Sequence, residues 1–550
     1  MAHQLKDNLV GWCRRLLLLF LVVLLSACSL FESRGDQEKP SSGDFAITKY
    51  SGKTLRIVAG SENRELEPII RDYANNKKLN ITIDYLGSLD IMSQLLTGQL
   101  EYDAVWPASS IWLTMGDQHR ILKHSQTTSI SPVVFGIRQS LAKELGFVDK
   151  DVYIDDIIKA IKEDKFKFAM TSATQSNSGA SAYLGFLTAI ASAEGGLTQD
   201  QLQDPQIGQQ IKDLLAGVNR SSGSSNWLVD LFLQSDYDAM VNYETLIIQA
   251  NQKLIEANKE PLHLVYPIDG LAISDSPLAY VDHKDPEMEE KFLDFQSYIL
   301  SDDAQEKIQA TGKRSRYGKV SQANEKVFNK DWGIDINRVI SPIRWPKAEV
   351  IQEALVLYQT QFKKPALTAY VLDYSGSMNG EGYESMMAAL EEVLIPENAA
   401  ANLLQGTSQD VTLVVPFSSE VFDSLQTQGN DQALSELYQS ISQLEVGGGT
   451  AMYEGINAAL ELINQEYGSV LDQYSPAVVV LTDGRPNGAM DYGMLESAYQ
   501  SHNKDIPIFS ILFGDSEEDK MKELANLSKA RVFDGRKDLI KAFKQVKGYN

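Results

Sequence analysis

Cysteine is almost absent from this chain: its 550 residues include only Cys13 and Cys28, both near the N-terminus. The body of the protein therefore cannot hold a disulfide framework or a cysteine-rich zinc site. Histidine is also scarce, and the six histidines form no cluster in the sequence. No nucleophile elbow or metalloprotease motif is present. These absences argue against a metal-dependent hydrolase, and we predict that the protein is not an enzyme.

Positive charge is in short supply as well, with 50 Lys and Arg residues against 74 Asp and Glu, giving a net charge of −24. A protein this acidic is a poor partner for nucleic acid, whose phosphates would repel it. The balance suits a soluble protein that works outside the cytoplasm. Since 550 residues exceed what one core can hold and 43% of them are hydrophobic, we expect two or three folded domains.

Long hydrophobic runs are limited to Leu16–Leu25, which follows the basic residues Lys6, Arg14 and Arg15. A stable membrane span needs roughly 20 apolar residues, so this run has the length of a secretory signal core. Leu-Ser-Ala-Cys, ending at Cys28, comes directly after it. The alternative is an uncleaved N-terminal anchor helix.

The four residues that end at Cys28 resemble the bacterial lipoprotein box. The resemblance implies that residues 1–27 are a removed signal peptide and that Cys28 is acylated as the first mature residue. Ser29 resembles the outer-membrane sorting pattern, if the cell has two membranes. Residues 28–50 are rich in Ser, Gly, Pro and charge, so we predict a flexible tether from the lipid to the first domain. The protein is then expected in the bacterial cell envelope, outside the cytoplasm.

Residues 51–320 open with three apolar segments, 55–59, 81–85 and 102–106, each separated from the next by one helical pattern. This alternation predicts parallel strands joined by right-handed crossovers. The loops after these strands carry Ser61, Ser88 and Ser109, which would share one edge of the sheet, where ligands usually bind. The alternative is that these serines are ordinary turn residues or helix caps.

A second α/β region follows the extended segment 131–138. A strand at 166–170 leads into a hydroxyl-rich loop with Ser176 and Ser178 at the start of a helix, where free N–H groups favour an anion or a carbonyl oxygen. Simple helix capping is the alternative. Another strand ends at Tyr243, and segments 262–266 and 271–273 are predicted to return to the first lobe. The basic stretch Thr311–Gly318 is predicted to be a solvated linker, with a phosphate site as the alternative.

The region 51–320 resembles a bacterial type II extracellular solute-binding protein, in the serine loops of its first lobe, the crossover near Pro132 and the strand end at Tyr243. The resemblance implies two lobes that close on a small polar solute or an oxyanion. The residues that it implies as ligand contacts are Ser61, Ser88, Ser109, Ser176, Ser178 and Tyr243. Residues 321–364 are predicted to be an ordered connector.

From residue 365 a new α/β alternation begins, and three of its loops carry oxygen-bearing side chains. Asp373, Ser375 and Ser377 follow one buried strand, Thr450 follows a run of glycines, and Asp483 ends a second buried strand. Oxygen-only ligands suit Mg²⁺, Mn²⁺ or Ca²⁺ rather than zinc. Taken one by one, the three stretches could be turns, and Thr450 could be a helix cap.

In their order and spacing, these stretches are similar to the metal-ion-dependent adhesion site of the von Willebrand factor A (VWA) domain, over residues 365–550. The resemblance implies a doubly wound, mainly parallel sheet that holds Mg²⁺, or Mn²⁺ or Ca²⁺, on those five side chains. A cation held largely by neutral hydroxyls keeps much of its charge, so it favours an external carboxylate. The predicted partner is a protein that supplies an Asp or Glu.

The sequence thus predicts an α/β protein of two parts, a two-lobed solute-binding domain and a VWA domain, on a lipid anchor. Our leading hypothesis is a binding protein that combines solute capture with cation-dependent protein binding. The alternative is the substrate-binding component of an ABC-type transporter with an accessory VWA domain.

Overall fold

Residues 45–429, 432–502, 504–514 and 516–549 are described by the computed structural model. Three mixed or mainly parallel sheets flanked by helices confirm the predicted two-part α/β fold. The predicted signal peptide and the predicted acylation of Cys28 fall on residues outside those described. Within those residues, no helix is long and apolar enough to cross a membrane.

The first lobe is a six-stranded sheet in which the three strands predicted at its centre run parallel. Its first five strands are β1 (Phe45–Ile47), β2 (Thr54–Ala59), β3 (Asn80–Tyr85), β4 (Ala104–Trp106) and β5 (Leu122–Thr127). Its first three helices are α1 (Glu67–Lys77), α2 (Ser88–Leu96) and α3 (Ser110–Gly116). Strand β1 pairs antiparallel with β3, so the folded part begins before residue 51.

The second lobe is a seven-stranded sheet organised around its longest strand. Six of its seven strands are, in chain order, β6 (Ser129–Arg138), β7 (Phe168–Thr171), β8 (Val218–Ser222), β9 (Ala239–Tyr243), β10 (Leu262–Val265) and β11 (Ala272–Ser274). Its helices are α4 (Gln139–Glu144), α5 (Ile154–Lys162), α6 (Asn177–Ile190), α7 (Gln199–Leu202), α8 (Pro205–Leu215), α9 (Ser225–Gln234) and α10 (Glu244–Glu256).

The chain returns to the first lobe later than the sequence indicated. Strands β10 and β11 were expected there, but both pair with β6 in the second lobe. The strand that returns is β12 (Pro277–Val281), which inserts antiparallel between β4 and β5. It is followed by α11 (Pro286–Ile299) and α12 (Asp302–Ala310), and β13 (Arg314–Ser315) then rejoins β6. Strands β10, β11 and β12 are short and mainly apolar, so periodicity alone does not assign them to a lobe.

The prediction of a solvated linker at Thr311–Gly318 was wrong for its central residues. Lys313 and Arg314 are both buried. The Arg314 guanidinium donates two hydrogen bonds of 2.7 Å to the carboxylate of Glu244, which is fully buried. A buried carboxylate is costly unless a cation pairs with it, and the basic turn is buried because it supplies that cation.

The connector after the second lobe is folded onto it. Phe328 and Trp332 are buried in the second-lobe core, and helix α13 (Ala348–Leu357) continues into a single π-helical turn, Tyr358–Phe362. The hydroxyl of Tyr183 donates a 2.8 Å hydrogen bond to the carbonyl of Ala354.

The third sheet lies in residues 366–549 and has the order β16-β15-β14-β17-β18-β19, with only β16 antiparallel. Its strands are β14 (Ala366–Asp373), β15 (Val411–Phe417), β16 (Leu425–Gln428), β17 (Ser475–Thr482), β18 (Ile508–Leu512) and β19 (Val532–Asp534). Its helices are α14 (Glu381–Leu394), α15 (Pro396–Ala401), α16 (Gln432–Ile441), α17 (Met452–Tyr467), α18 (Tyr492–His502), α19 (Glu518–Leu527) and α20 (Leu539–Lys547).

Strand β14 is the centre of this sheet, with β15 and β17 as parallel neighbours. Helices cover both of its faces, and seven of its eight residues are buried. This burial explains the nearly continuous apolar run of its sequence. The outer strands β16 and β19 lack that signal and were not predicted.

Candidate functional site

The first candidate site begins where β14 ends, at Asp373. Its carboxylate is fully buried and accepts hydrogen bonds from the backbone N–H of Ser375, at 2.7 Å, and from the hydroxyl of Thr482. Burial raises the pKa of Asp373, although the hydrogen bonds from Ser375 and Thr482 oppose this shift. The carboxylate is thus held in one orientation by the loop that follows β14 and by the neighbouring strand β17.

Ser375, Ser377 and Asp483 extend this site toward solvent. The Ser377 hydroxyl donates a 2.7 Å hydrogen bond to Asp483 Oδ1, and the hydroxyl oxygens of Ser375 and Ser377 are 3.0 Å apart. Two adjacent ligand oxygens on an octahedral Mg²⁺ with bonds of about 2.1 Å would be about 3.0 Å apart. Ser377 is exposed, so the group is open on one side.

Thr450 joins the same group from the glycine-rich loop before α17. A Cβ placed on Gly484 would lie 2.9 Å from Thr450 Oγ1 and 3.3 Å from Ser377 Oγ. Gly376 N–H also donates to the carbonyl of Gly448, at 3.1 Å, which ties the two loops together. Thr450 does not cap α17, because the cap position is Ala451.

Two residues that the sequence reasoning missed hold the Thr450 loop. Asn487 Oδ1 accepts from Thr450 N–H at 2.7 Å, and Ser419 Oγ accepts from Gly449 N–H at 2.7 Å. Neither residue belongs to a recognisable spacing pattern, since each follows a different strand. Both act on the backbone of the loop.

The five side chains Asp373, Ser375, Ser377, Thr450 and Asp483 are therefore brought together at the carboxyl ends of β14 and β17. Two carboxylates and three hydroxyls form an oxygen donor set, which fits a hard divalent cation. No group of three or more His, Cys, Asp and Glu side chains that could hold a metal occurs in the described part of the chain, and this site, with two carboxylates, depends on its hydroxyls as well. The residues thus fit the cation that the sequence predicted.

The second candidate site is a cleft of about 1,120 Å³ between the two lobes. It is lined by polar loops, by the aromatic rings of Tyr85 and Trp227, and by residues of the third-sheet region, 366–549. Its size is sufficient for a small solute.

Three of the six predicted ligand contacts, Ser61, Ser88 and Ser176, line this cleft. The hydroxyl oxygen of Ser61 is 3.4 Å from that of Ser224 across the lobes. Ser88 Oγ accepts from Ala108 N–H at 3.0 Å, and Ser176 Oγ is 3.0 Å from Ser225 Oγ. These serines therefore also support the loops that carry them.

The other three predicted contacts are not among the lining residues. Ser109 Oγ caps α3 by accepting from Ile111 N–H at 3.4 Å. Ser178 is fully buried, with its hydroxyl 2.7 Å from that of Thr171. The Tyr243 hydroxyl accepts from Asn177 Nδ2 at 2.9 Å, and burial raises the pKa of Tyr243. These three positions support the cleft from behind.

Four acidic residues line the cleft, Glu62, Asp90, Asp230 and Asp538, and the sequence reasoning missed all of them. Asp90 is accessible from the cleft, yet protein atoms surround it, and this desolvation raises its pKa against the opposing charges of Lys541 and Lys544. Those two lysines lie on α20, at the far end of the sequence. No local pattern could have placed them beside Asp90.

The third-sheet region, residues 366–549, forms a third wall of the cleft through α20 and the residues after it. Gln175 Nε2 donates a 2.8 Å hydrogen bond to the carbonyl of Lys544, and the rings of Trp227 and Tyr549 meet edge to face at 5.0 Å. The contact is close at Gly548, where a Cβ would lie 1.6 Å from Gln175 Cδ. Only glycine fits that position without displacing Gln175.

A second contact between these regions lies further from the cleft. Asp505 Oδ1 is 3.0 Å from Arg220 Nη1, and Asp505 Oδ2 accepts from the hydroxyl of Tyr237 at 2.9 Å. Arg220 Nη2 also donates to the carbonyl of Lys529 at 3.1 Å. The second lobe and the third-sheet region are thus joined by specific polar contacts as well as by packing.

Comparison with known families matches the two parts separately. A family described as bacterial extracellular solute-binding protein matches residues 55–314, and the von Willebrand factor type A domain matches residues 369–543. The chain therefore contains a bacterial solute-binding domain followed by a VWA domain. A comparison with curated proteins found no match.

Solved structures similar to this chain include three binding proteins. The ferric binding protein from Campylobacter jejuni is 14% identical, with 55% of this chain and 98% of that chain covered and a TM-score of 0.39. The sulfate-binding protein SubI from Mycobacterium tuberculosis H37Rv is 16% identical, with 55% and 96% covered and a TM-score of 0.37. The periplasmic binding protein AfuA from Actinobacillus pleuropneumoniae is 14% identical, with 48% and 86% covered and a TM-score of 0.38.

Proposed function

We propose that this chain, which joins a bacterial solute-binding domain to a VWA domain, is an extracytoplasmic binding protein anchored to a membrane through Cys28. One domain captures a small polar solute or an oxyanion, and the other binds a protein through a divalent cation. The observation that carries the proposal is the gathering of five oxygen-bearing side chains at one edge of the VWA sheet, open to solvent at Ser377.

The cation is the docking point for a carboxylate of the partner. Asp373, Ser375, Ser377, Thr450 and Asp483 hold Mg²⁺, or Mn²⁺ or Ca²⁺, and the open side receives an Asp or Glu. Three of the five side chains are neutral, so the bound ion keeps positive charge for an external ligand. The proposal needs no catalytic residue, and binding is the role of both domains.

Titration calorimetry of Mg²⁺ and Mn²⁺ into the full chain tests the cation site. We expect one site in the wild-type chain and none in Asp373→Ala, because the buried carboxylate organises both Ser375 and Thr482. Asp472→Ala, an exposed position of the same domain, is the matched control and retains the site. Equal metal affinity in wild type and Asp373→Ala would refute the assignment.

Partner binding is tested by cross-linking the full chain to its own membranes with Mg²⁺ or with a chelator. We expect a cross-linked species that requires Mg²⁺ and is lost in Asp373→Ala. A product that forms equally in the chelator would contradict the cation-dependent role. For the anchor, Cys28→Ser is expected to release the chain from the membrane fraction.

A second candidate function is the substrate-binding component of an ABC-type transporter, in which the VWA domain is an accessory. The match of residues 55–314 to a solute-binding family and the cleft between the lobes favour it. Neighbouring permease and ATPase genes, together with loss of solute uptake on deletion, would support transport. Unchanged uptake in the deletion strain would leave the receptor proposal.

A further inference from the structure

Glu62 is a buried carboxylate on the wall of the solute cleft. It lies in the 3₁₀ turn Ser61–Leu66 directly after β2 and is only 6% exposed. Its side chain folds back over Gly60, since a Cβ on that glycine would lie 2.2 Å from Glu62 Oε1. The carboxylate is therefore fixed in place by the loop itself.

No group of the described protein pairs with Glu62 Oε1, which has no hydrogen-bond partner. The cation that acts on Glu62 electrostatically is Lys313, whose Nζ lies 3.6 Å from Glu65 Oε1 and is thus shared with a second buried acid. Tyr243 interacts electrostatically with Glu62, but the hydrogen-bond partners of its hydroxyl are the side chains of Asn177, Ser274 and Ser225. A buried, unpaired carboxylate oxygen is costly for the folded protein, and a ligand that donates to it would remove that cost.

We propose that the solute carries a protonated amine, which binds Glu62 in the cleft. The inference rests on the proposed function, namely that this cleft holds a solute. An ammonium group offers three N–H donors, enough for Glu62 and for neighbouring hydroxyls such as those of Ser61 and Ser224. This assignment departs from the expectation of an oxyanion.

The test is ligand binding by the full chain with defined probes: ethanolamine, putrescine and spermidine as amines, and sulfate and phosphate as oxyanions. We expect at least one amine to raise the melting temperature of the wild-type chain. Its affinity should fall by about 10- to 100-fold in Glu62→Gln, as expected for loss of a charged hydrogen bond. Glu101→Gln, an exposed position of the same lobe, is the control and should bind as wild type.

Three results would overturn the inference: no amine binds the wild-type chain, Glu62→Gln binds the amine unchanged, or only an oxyanion binds. The last result would leave the solute-binding function intact while rejecting the amine. Failure of all five probes, together with no small molecule retained in native mass spectrometry, would instead count against solute binding itself. Glu62→Asp, which keeps the charge but shortens the side chain, should weaken the amine less than Glu62→Gln.

Discussion

Replacing Glu62 by glutamine should stabilise the protein while it removes the amine site. Burial raises the pKa of Glu62 from 4.5 to about 7, and only part of this shift is offset by Lys313. A carboxyl whose pKa is raised in the folded state destabilises that state once the pH exceeds its unfolded pKa. The shift of about 2.5 units corresponds to about 3 kcal/mol at pH 8. The same relation gives less than about 1 kcal/mol at pH 5.

The assay is thermal unfolding of full-length wild type, Glu62→Gln and the control Glu101→Gln at pH 5 and pH 8, without added ligand. Since about 1 kcal/mol shifts the melting temperature of a domain of this size by roughly 2 °C, we expect Glu62→Gln to melt roughly 6 °C higher at pH 8. The gain should fall to roughly 2 °C or less at pH 5, and the control should follow wild type at both pH values. A melting temperature that falls in Glu62→Gln at pH 8 would mean that the carboxylate stabilises the fold, and the reasoning would fail.

Three further predictions concern contacts elsewhere in the structure. Asn487→Ala should weaken Mg²⁺ binding by about 10- to 100-fold in calorimetry without lowering the melting temperature. The reason is that it frees the Thr450 loop while leaving all five proposed ligands in place. Unchanged Mg²⁺ affinity would show that Asn487 does not support the site. Glu244→Gln should lower the free energy of unfolding in urea by about 3–5 kcal/mol, since it leaves the buried guanidinium of Arg314 without its anion. A loss below about 1 kcal/mol would contradict the importance of that ion pair. Asp505→Ala should weaken the interaction between the second lobe and the VWA domain by about 1–3 kcal/mol, because Arg220 and Tyr237 lose their partner. We expect this loss to appear as faster amide hydrogen exchange in β8. Unchanged exchange would show that packing alone holds the two domains together.

The proposed cation site was the part of the molecule most accessible from the sequence. Asp373 and Asp483 each end a strongly apolar strand, and parallel strands place such ends at one sheet edge, so local patterns were enough to bring the two carboxylates together. Thr450 required the family resemblance, because as an isolated residue it reads equally well as a helix cap.

The cleft was less accessible because its walls come from distant parts of the chain. The serine loops predicted the correct edge of the first lobe, and Ser61, Ser88 and Ser176 line the cleft. Glu62 was overlooked because one acidic residue in a polar loop carries no periodic signal. Helix α20 becomes part of the cleft only through tertiary packing of the VWA domain on the second lobe.

The burial of the basic turn Thr311–Gly318 also depends on residues far away in the sequence. Charged residues in a turn-rich stretch predict exposure, and most such stretches are exposed. Here Glu244, buried 70 residues earlier in the sequence, reverses the expectation for Arg314. Local composition does not report a buried countercharge.

The central claim is that one chain holds two separate ligands, a divalent cation in the VWA domain and a small solute in the cleft. Native mass spectrometry of the full chain, purified from its own membranes in Mg²⁺, tests it in one measurement. We expect wild type to carry both masses, Asp373→Ala to lose only the cation and Glu62→Gln to lose only the solute. The account would be contradicted if Asp373→Ala kept the cation and Glu62→Gln kept the solute, or if the wild-type chain carried neither.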